Sequence, residues 1–234
     1  MVQNFQTVAL LPMKAHSERV HGKNFRSFAG KPLFRWALDA LLGVKAIDAV
    51  VINTDAREIL AENGLHDGDA GGRVVIRDRR PEICGDLVSM NLVLADDIDA
   101  VAAENYVMTH TTNPLLRSAT IEQALSQYNS CRAKQTADSL FSVNRVQTRF
   151  YRENGSAINH DPDNLIRTQD LEPWFEENSN LYIFDRSSFA KTSARIGTKP
   201  VMFEMDTTES VDIDGQAQWD MAEAIALYQQ DQNR

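Results

Sequence analysis

Lys14, Arg19 and Lys23 fall close together near the start of the chain, interspersed with Ser17, Gly22 and Asn24. They follow a short apolar run, Val8 to Leu11, that reads as a buried strand, and lead through Gly30-Lys31-Pro32 toward an amphipathic helix. A basic, glycine-containing loop at the carboxyl end of a strand is where open α/β sheets hold phosphate. The chemistry expected of it is that of a nucleoside triphosphate: cations offset charge on the β- and γ-phosphates and on a departing pyrophosphate. A merely solvated loop is the plainer alternative. The segment is not a Walker A loop, which needs glycine at the Ser17 position and Ser or Thr at Asn24. No G-x-G-x-x-G dinucleotide fingerprint occurs. His16 and His21 share the loop and could touch phosphate; the five histidines show no metal-ligand spacing.

A second constellation is Ser210-Val211-Asp212-Ile213-Asp214. Carboxylates two apart in an extended segment share a side, and side by side they repel unless a cation lies between them. Such oxygen ligands suit a hard divalent metal, and Mg²⁺ adds substrate phosphates and waters to them. Asp214 could instead cap the helix expected from Gly215 to about Gln229. A third is Arg167-Thr168-Gln169-Asp170-Leu171, where an arginine could grip a substrate carboxylate in bidentate fashion; a surface salt bridge fits the pattern equally well. There is no G-x-S-x-G elbow and no nucleophile-base pair, so covalent catalysis is not expected.

These residues need a frame, and the composition supplies an ordinary one. At 234 residues with 43% apolar and 24% charged content, one domain over 1–234 with an elaboration is expected. A net charge of −9 argues against nucleic acid or an acidic membrane as partner. Cys84 and Cys131 form no motif, and reduced thiols in a cytoplasmic protein are expected. The N-terminal apolar run is too short for a signal peptide or membrane span.

Elements alternate along the chain. Leu33 to Gly43 reads as a helix, and Ile47 to Ile52 as a strand buried on both faces. Asp55 is placed to cap the next helix. Arg73 to Ile76 is a strand, Asp86 begins a long helix to about Ala103, Tyr106 to Thr109 is a strand, and Ser118 caps a helix to about Tyr128. This rhythm implies a doubly wound α/β sheet. After Ser139 it breaks: Leu140 to Val146 looks like a strand, but the polar stretch Gln147 to Asn164 reads as a hairpin or arm rather than a crossover helix. Leu181 to Phe184 and Pro200 to Met205 resume the sheet.

Together the segments resemble the acylneuraminate cytidylyltransferases, the CMP-sugar synthetase family. Its A-R-x-G-S-x-R-x-x-x-K-N loop is seen as Met13 to Asn24, its G-K-P-L as Gly30 to Leu33, its S-T-D as Asn53-Thr54-Asp55, and its R-P-x-x-x-x-G-D as Arg80-Pro81 with Gly85-Asp86. Its Q-P-T-S-P-L-R appears altered at His110 to Leu116, its R-Q-D-L at Gln169 to Leu171, its N-G-A-I-Y-I-F at Asn178 to Phe184, and its S-V-D-I-D intact at Ser210 to Asp214.

The resemblance implies a mostly parallel, Rossmann-like sheet of the nucleotide-diphospho-sugar transferase type. It implies transfer of CMP from CTP to the anomeric hydroxyl of a keto-sugar acid, with release of pyrophosphate. Lys14, Arg19 and Lys23 would hold the triphosphate with Ser17 and Asn24, and Lys23 would stabilise the leaving pyrophosphate. Asp212 and Asp214 would carry Mg²⁺, with Arg80 and Ser89 near the cytidine. The positions around the sugar would be His110, Thr112, Arg117, Arg167, Gln169 and Tyr182. The family's projecting arm, expected here at about 143–178, would make a homodimer.

Departures cluster in the sugar half. Lys14 replaces an arginine, and His110 a glutamine. The arginine of S-P-L-R falls on Leu116, with Arg117 one place later; that of R-Q-D-L falls on Thr168, with Arg167 one place earlier; Ser179 replaces a glycine. The acceptor is therefore open, with 3-deoxy-octulosonate or a phosphonate as alternatives to a sialic-acid-like sugar. A glycosyltransferase using the Asp-x-Asp pair, or a non-catalytic nucleotide-binding relative, are the rivals from other classes.

Overall fold

The computed structural model describes residues 5–17 and 20–232. Seven strands form one sheet: β1 Phe5–Leu10, β2 Ala49–Thr54, β3 Val74–Asp78, β4 Ala103–Met108, β5 Ser139–Val146, β6 Trp174–Asp185 and β7 Pro200–Glu204, in spatial order β3-β2-β1-β4-β6-β5-β7. All pairings are parallel except those of β6, which runs antiparallel to both β4 and β5.

Apolar residues alternate between the faces, as a doubly covered sheet requires. Ala9, Val50, Ile52 and Val107 pack under α1 (Leu33–Gly43) and a later helix, Ser118–Ala133, through Phe34, Leu38, Leu41, Ile121, Leu125 and Tyr128. Val8, Leu10, Val51, Tyr106 and Met108 pack on the opposite face with Leu94 and Ile98 of the helix Met90–Ala100. The longer helices are numbered in chain order, after α1, as α2 (Arg57–Glu62), α3 (Met90–Ala100), α4 (Ser118–Ala133), α5 (Arg186–Thr192) and α6 (Gln216–Gln232), and a single helical turn, Asp69–Gly72, precedes β3. A Cβ at Gly43 would lie 2.4 Å from Ser118 Oγ, so glycine is what lets α1 end against α4.

Three helix starts differ from expectation, each because tertiary structure claims the capping side chain. Asp55 does not cap α2; its Oδ1 accepts Ala15 N–H at 2.7 Å, tying the first loop to the end of β2. Asp86 lies in a loop that turns at Gly85 (φ 113°), and α3 begins only at Met90, capped by Ser89, whose Oγ accepts Asn91 N–H. Ser118 is the first residue of α4 and donates to Ala40 O at 2.7 Å.

The expected break after Ser139 is a long ribbon. The outer halves of β5 and β6 stay paired from Val143–Glu177 out to Val146–Trp174. The excursion between them is held by a Tyr151–Ala157 bridge, a stacked Phe150–Trp174 pair at 5.1 Å, and bonds from Gln147 Nε2 to Gln169 O and Leu171 O. Tyr151, Leu165, Ile166, Trp174 and Phe175 are exposed on it.

Candidate active site

Loops at the carboxyl ends of β1, β3 and β4 enclose a cleft of about 360 Å³. Met13, Lys14, Ser17, Lys23 and Asn24 enter from the first loop, Arg79 from the end of β3, and His110 to Thr112 from the end of β4. Ile83, Val88, Met90 and Val93 give it an apolar side, and Asp214 reaches it from the far end of the sequence. An apolar wall facing a cationic loop is the arrangement a nucleotide needs, base on one side and phosphates on the other.

Several contacts build the loop. Met13 N–H continues the β1 ladder onto Asn53 O at 3.1 Å, and the chain turns at Gly22 (φ 60°), where Phe25 N–H and Arg26 N–H both reach Gly22 O. Glycine there avoids the cost of a side chain in left-handed backbone. Asn24 is buried: its Nδ2 donates to Lys14 O at 2.8 Å, and its Oδ1 accepts the Thr111 hydroxyl at 2.7 Å. Its amide thus staples the first loop to the β4 loop.

The Asp-x-Asp segment is fastened from three sides, by the β4 loop, the first loop and β6. Ile213 N–H donates to Thr112 O at 2.9 Å, Lys23 Nζ donates to Ile213 O at 2.7 Å, and Asn180 Nδ2 donates to Ser210 O at 3.1 Å. Ile213 is fully buried in an apolar cluster with Val20, Phe28, Leu33 and Trp219. Because side chains alternate along extended backbone, burying Ile213 turns both flanking carboxylates the other way. Asp214 is exposed and Asp212 half-buried.

The anchor at Asn180 depends on an irregularity in β6. Asn178 to Leu181 bulge opposite Ser142, whose Oγ donates to Asn178 Oδ1 and accepts Leu181 N–H at 2.8 Å. Ser179 takes φ 57° within the bulge, a left-handed backbone that favours glycine. Left-handed backbone costs a non-glycine residue roughly 1–2 kcal/mol, against the roughly 0.5–1 kcal/mol entropic cost of glycine. Ser179→Gly is therefore expected to hold or raise stability, by up to about 1 kcal/mol, and Ser179→Val to lower it by about as much or more. Denaturant midpoints read both; a valine variant as stable as the parent would refute the strain.

Under the cleft lies a buried charge network. Arg79 donates through Nε to Asn53 Oδ1 at 2.9 Å and through Nη2 to Asn53 O and Met13 O, bracing the first loop. Asn53 Nδ2 reaches Asp97 Oδ1 at 2.8 Å, and Arg77 pairs with both Asp96 and Asp97. Burial pushes the Asp97 carboxyl up to about 6, opposed by its contacts with Asn53 and Arg77. His110 moves the other way: desolvation, helped by the charges of Arg195 and Lys23, holds its imidazole down at about 3. It is neutral at ordinary pH, with one donor and one acceptor, the same pair that a glutamine amide offers.

The structure thus brings Lys14, Ser17, Lys23, Asn24, His110, Thr112 and Asp214 together. Arg19 lies outside the described residues. Lys14 forms an ion pair with Asp86 across the cleft. Asp212 sits half-buried beside Ile213 and does not line the cleft, and the remaining expected site residues lie elsewhere. Arg80 turns from the cleft to pair with Asp96 at 2.7 Å, leaving the lining position to Arg79. Ser89 is occupied as the α3 cap. Arg117 grips the buried Glu209, which also accepts the Thr120 hydroxyl, beside a separate cavity. Arg167 pairs with Asp170 on the exposed ribbon, the salt-bridge alternative, with Gln169 next to it. Tyr182 is buried between Met108 and Phe141, and its hydroxyl bonds Glu177. Sequence reasoning missed Arg79, Asp86 and Arg195; only the Arg79-Arg80 doublet offered a signal, since strand alternation puts one of two neighbours on each side.

Residues 8–233 match the model of the family described as cytidylyltransferase. The N-acylneuraminate cytidylyltransferase of Oncorhynchus mykiss is 30% identical over 94% of this chain, and the CMP-N,N'-diacetyllegionaminic acid synthase of Legionella pneumophila is 26% identical over 93%. The chain covers 95% of the Legionella protein but spans only about half the length of the N-acylneuraminate cytidylyltransferases that it matches. A solved CMP:2-keto-3-deoxy-manno-octonic acid synthetase complexed with CTP superposes with TM-score 0.65 at 15% identity, over 97% of this chain and 99% of that one. At that identity the likeness concerns the fold.

Proposed function

The chain belongs to the cytidylyltransferase family, and on that premise we propose that it transfers CMP from CTP to the anomeric hydroxyl of an acidic keto-sugar. The hydroxyl oxygen forms the new bond to the α-phosphorus, the bond to the β-phosphate oxygen breaks, and pyrophosphate leaves with that electron pair. The observation that carries the reading is the meeting of Lys14, Lys23 and Asp214 in one cleft, with Lys23 bonded to the carbonyl between the two aspartates. Reactions of this kind depend mainly on positioning and on neutralising charge. Lys14 and Lys23, with Arg19, hold the triphosphate, and Lys23 offsets charge on the departing pyrophosphate. The Lys14–Asp86 pair yields its cation to the nucleotide on binding.

Asp212 and Asp214 are the residues that would hold Mg²⁺. Their donors are hard carboxylate oxygens, two in number, and Mg²⁺ commonly takes one or two carboxylates and completes its shell with phosphates and water. When bound it supplies Lewis-acid stabilisation of phosphate charge. The names of the relatives support a nonulosonate acceptor. The exposed apolar residues of the ribbon support a homodimer built on the arm. No helix among the described residues is long and apolar enough to cross a membrane, and we place the enzyme in the cytoplasm, where CTP is made.

The test is pyrophosphate release from each of the four nucleoside triphosphates with Mg²⁺, across a panel of nine-carbon and eight-carbon keto-acids and a phosphonate. Release is expected only with CTP and an acid. No release above background with any member overturns the reading, and transfer from a ready-made CMP-sugar to an acceptor favours a glycosyltransferase.

A further inference from the structure

We propose that Arg195, held against Tyr182 beside the nucleotide cleft, receives the carboxylate of the acceptor acid. The inference rests on the acid acceptor of the preceding section and names the residue that recognises it. In this chain the arginines expected for that task are committed elsewhere: Arg117 to the buried Glu209, and Arg167 to Asp170 on the ribbon. Arg195 stands where they would be needed. It lines a third cavity, of about 340 Å³, and Met90 borders both that cavity and the cleft. Its charge is felt at His110, on the cleft wall.

Arg195 has the form of a carboxylate receptor. Its guanidinium lies over the Tyr182 ring at 4.0 Å, its Nη2 donates to Tyr182 Oη at 3.1 Å, and its side chain is 20% exposed. Stacking fixes the plane, and a planar fork in a partly desolvated place is what bidentate carboxylate binding uses. The backbone is fixed as well. Arg195 N–H reaches Asn91 Oδ1 at 3.4 Å, the Thr192 hydroxyl lies 3.1 Å from Ile196 O, and Gly197 N–H donates to Ser139 Oγ at 2.8 Å. Among the described residues the nearest acid is Glu177, 3.8 Å away, an ion pair longer than a hydrogen bond, and its carboxylate accepts the Tyr182 hydroxyl. Burial and Glu177 push that phenol up to about 12, so it stays a neutral donor. A ligand carboxylate can therefore take a closer place on the guanidinium than Glu177 holds.

Steady-state kinetics with the full chain, CTP, Mg²⁺ and the best acid of the panel test this. Arg195→Gln is expected to raise KM for the acid on the order of 30-fold or more, with KM for CTP within about 3-fold of the parent. Arg195→Lys, which keeps charge and loses the fork, should fall between. Glu177→Gln, which removes a competing anion, should lower KM for the acid. The parent should prefer the acid to its methyl ester, and the glutamine variant should lose that preference. An active parent with unchanged acid KM in both Arg195 variants overturns the role of Arg195 alone. A parent that releases no pyrophosphate with any acid overturns the acceptor reading and this inference together.

Discussion

Replacing Lys23 by alanine is expected to lower kcat/KM for pyrophosphate release by roughly a hundred- to a thousand-fold, the scale of losing one preorganised donor to developing charge. Lys23 lines the cleft and its Nζ donates at 2.7 Å to the carbonyl of Ile213, the residue between Asp212 and Asp214. Its ammonium is therefore preset where phosphate charge and the Asp-x-Asp segment meet, and needs no rearrangement when the reaction begins. Alanine removes the cation and the tie between segments 190 residues apart. Arginine restores charge without the compact geometry, so Lys23→Arg should recover only part of the rate. Pyrophosphate release reads the effect, and the melting transition checks that each variant folds. Turnover within about threefold of the parent in Lys23→Ala would refute the assigned role.

Asp214→Asn is expected to cost activity on a similar scale and to abolish the Mg²⁺ dependence of CTP binding. Asp214 is exposed in the cleft, and burial of Ile213 beside it fixes the direction of its side chain. The amide has nearly the same shape but lacks the charge that holds a hard cation. Asp212→Asn should act in the same direction. Calorimetric titration of CTP at graded Mg²⁺ separates a metal role from a purely structural one. An asparagine variant with the parent's Mg²⁺ response would remove these carboxylates from the metal site. If Asp214 only capped α6, the asparagine variant, whose amide oxygen caps a helix about as well, would keep both its stability and that response.

Much of the frame could be read from the chain. Alternating apolar strands and amphipathic helices gave the doubly wound sheet, and the loss of that rhythm after Ser139 marked the ribbon. The reversed direction of β6 could not be read, because strand direction is a property of pairing and not of a single strand's residues. The cationic loop and the S-V-D-I-D segment were legible because each concentrates its chemistry within a few neighbours. Single side chains were less so. Arg79 and Arg80 look alike in sequence, yet one braces Met13 and Asn53 while the other pairs with Asp96. Asn24 looked like a ligand for phosphate and is spent on Lys14 O and Thr111.

Residue types along the chain were thus enough for the layers of the sheet, the cationic character of the loop that contains Lys14 and Lys23, and the paired carboxylates at Asp212 and Asp214. These follow from residue types at short spacing, where backbone periodicity alone settles which side chains share a face. The tertiary structure decided that the two motifs meet, through Ile213 bonded to Thr112 and to Lys23. It also decided which arginine is available. Long cationic side chains take whatever acid the fold brings within reach: Glu209 for Arg117, Asp170 for Arg167, and for Arg195, among the described residues, Glu177 in a looser pair at 3.8 Å.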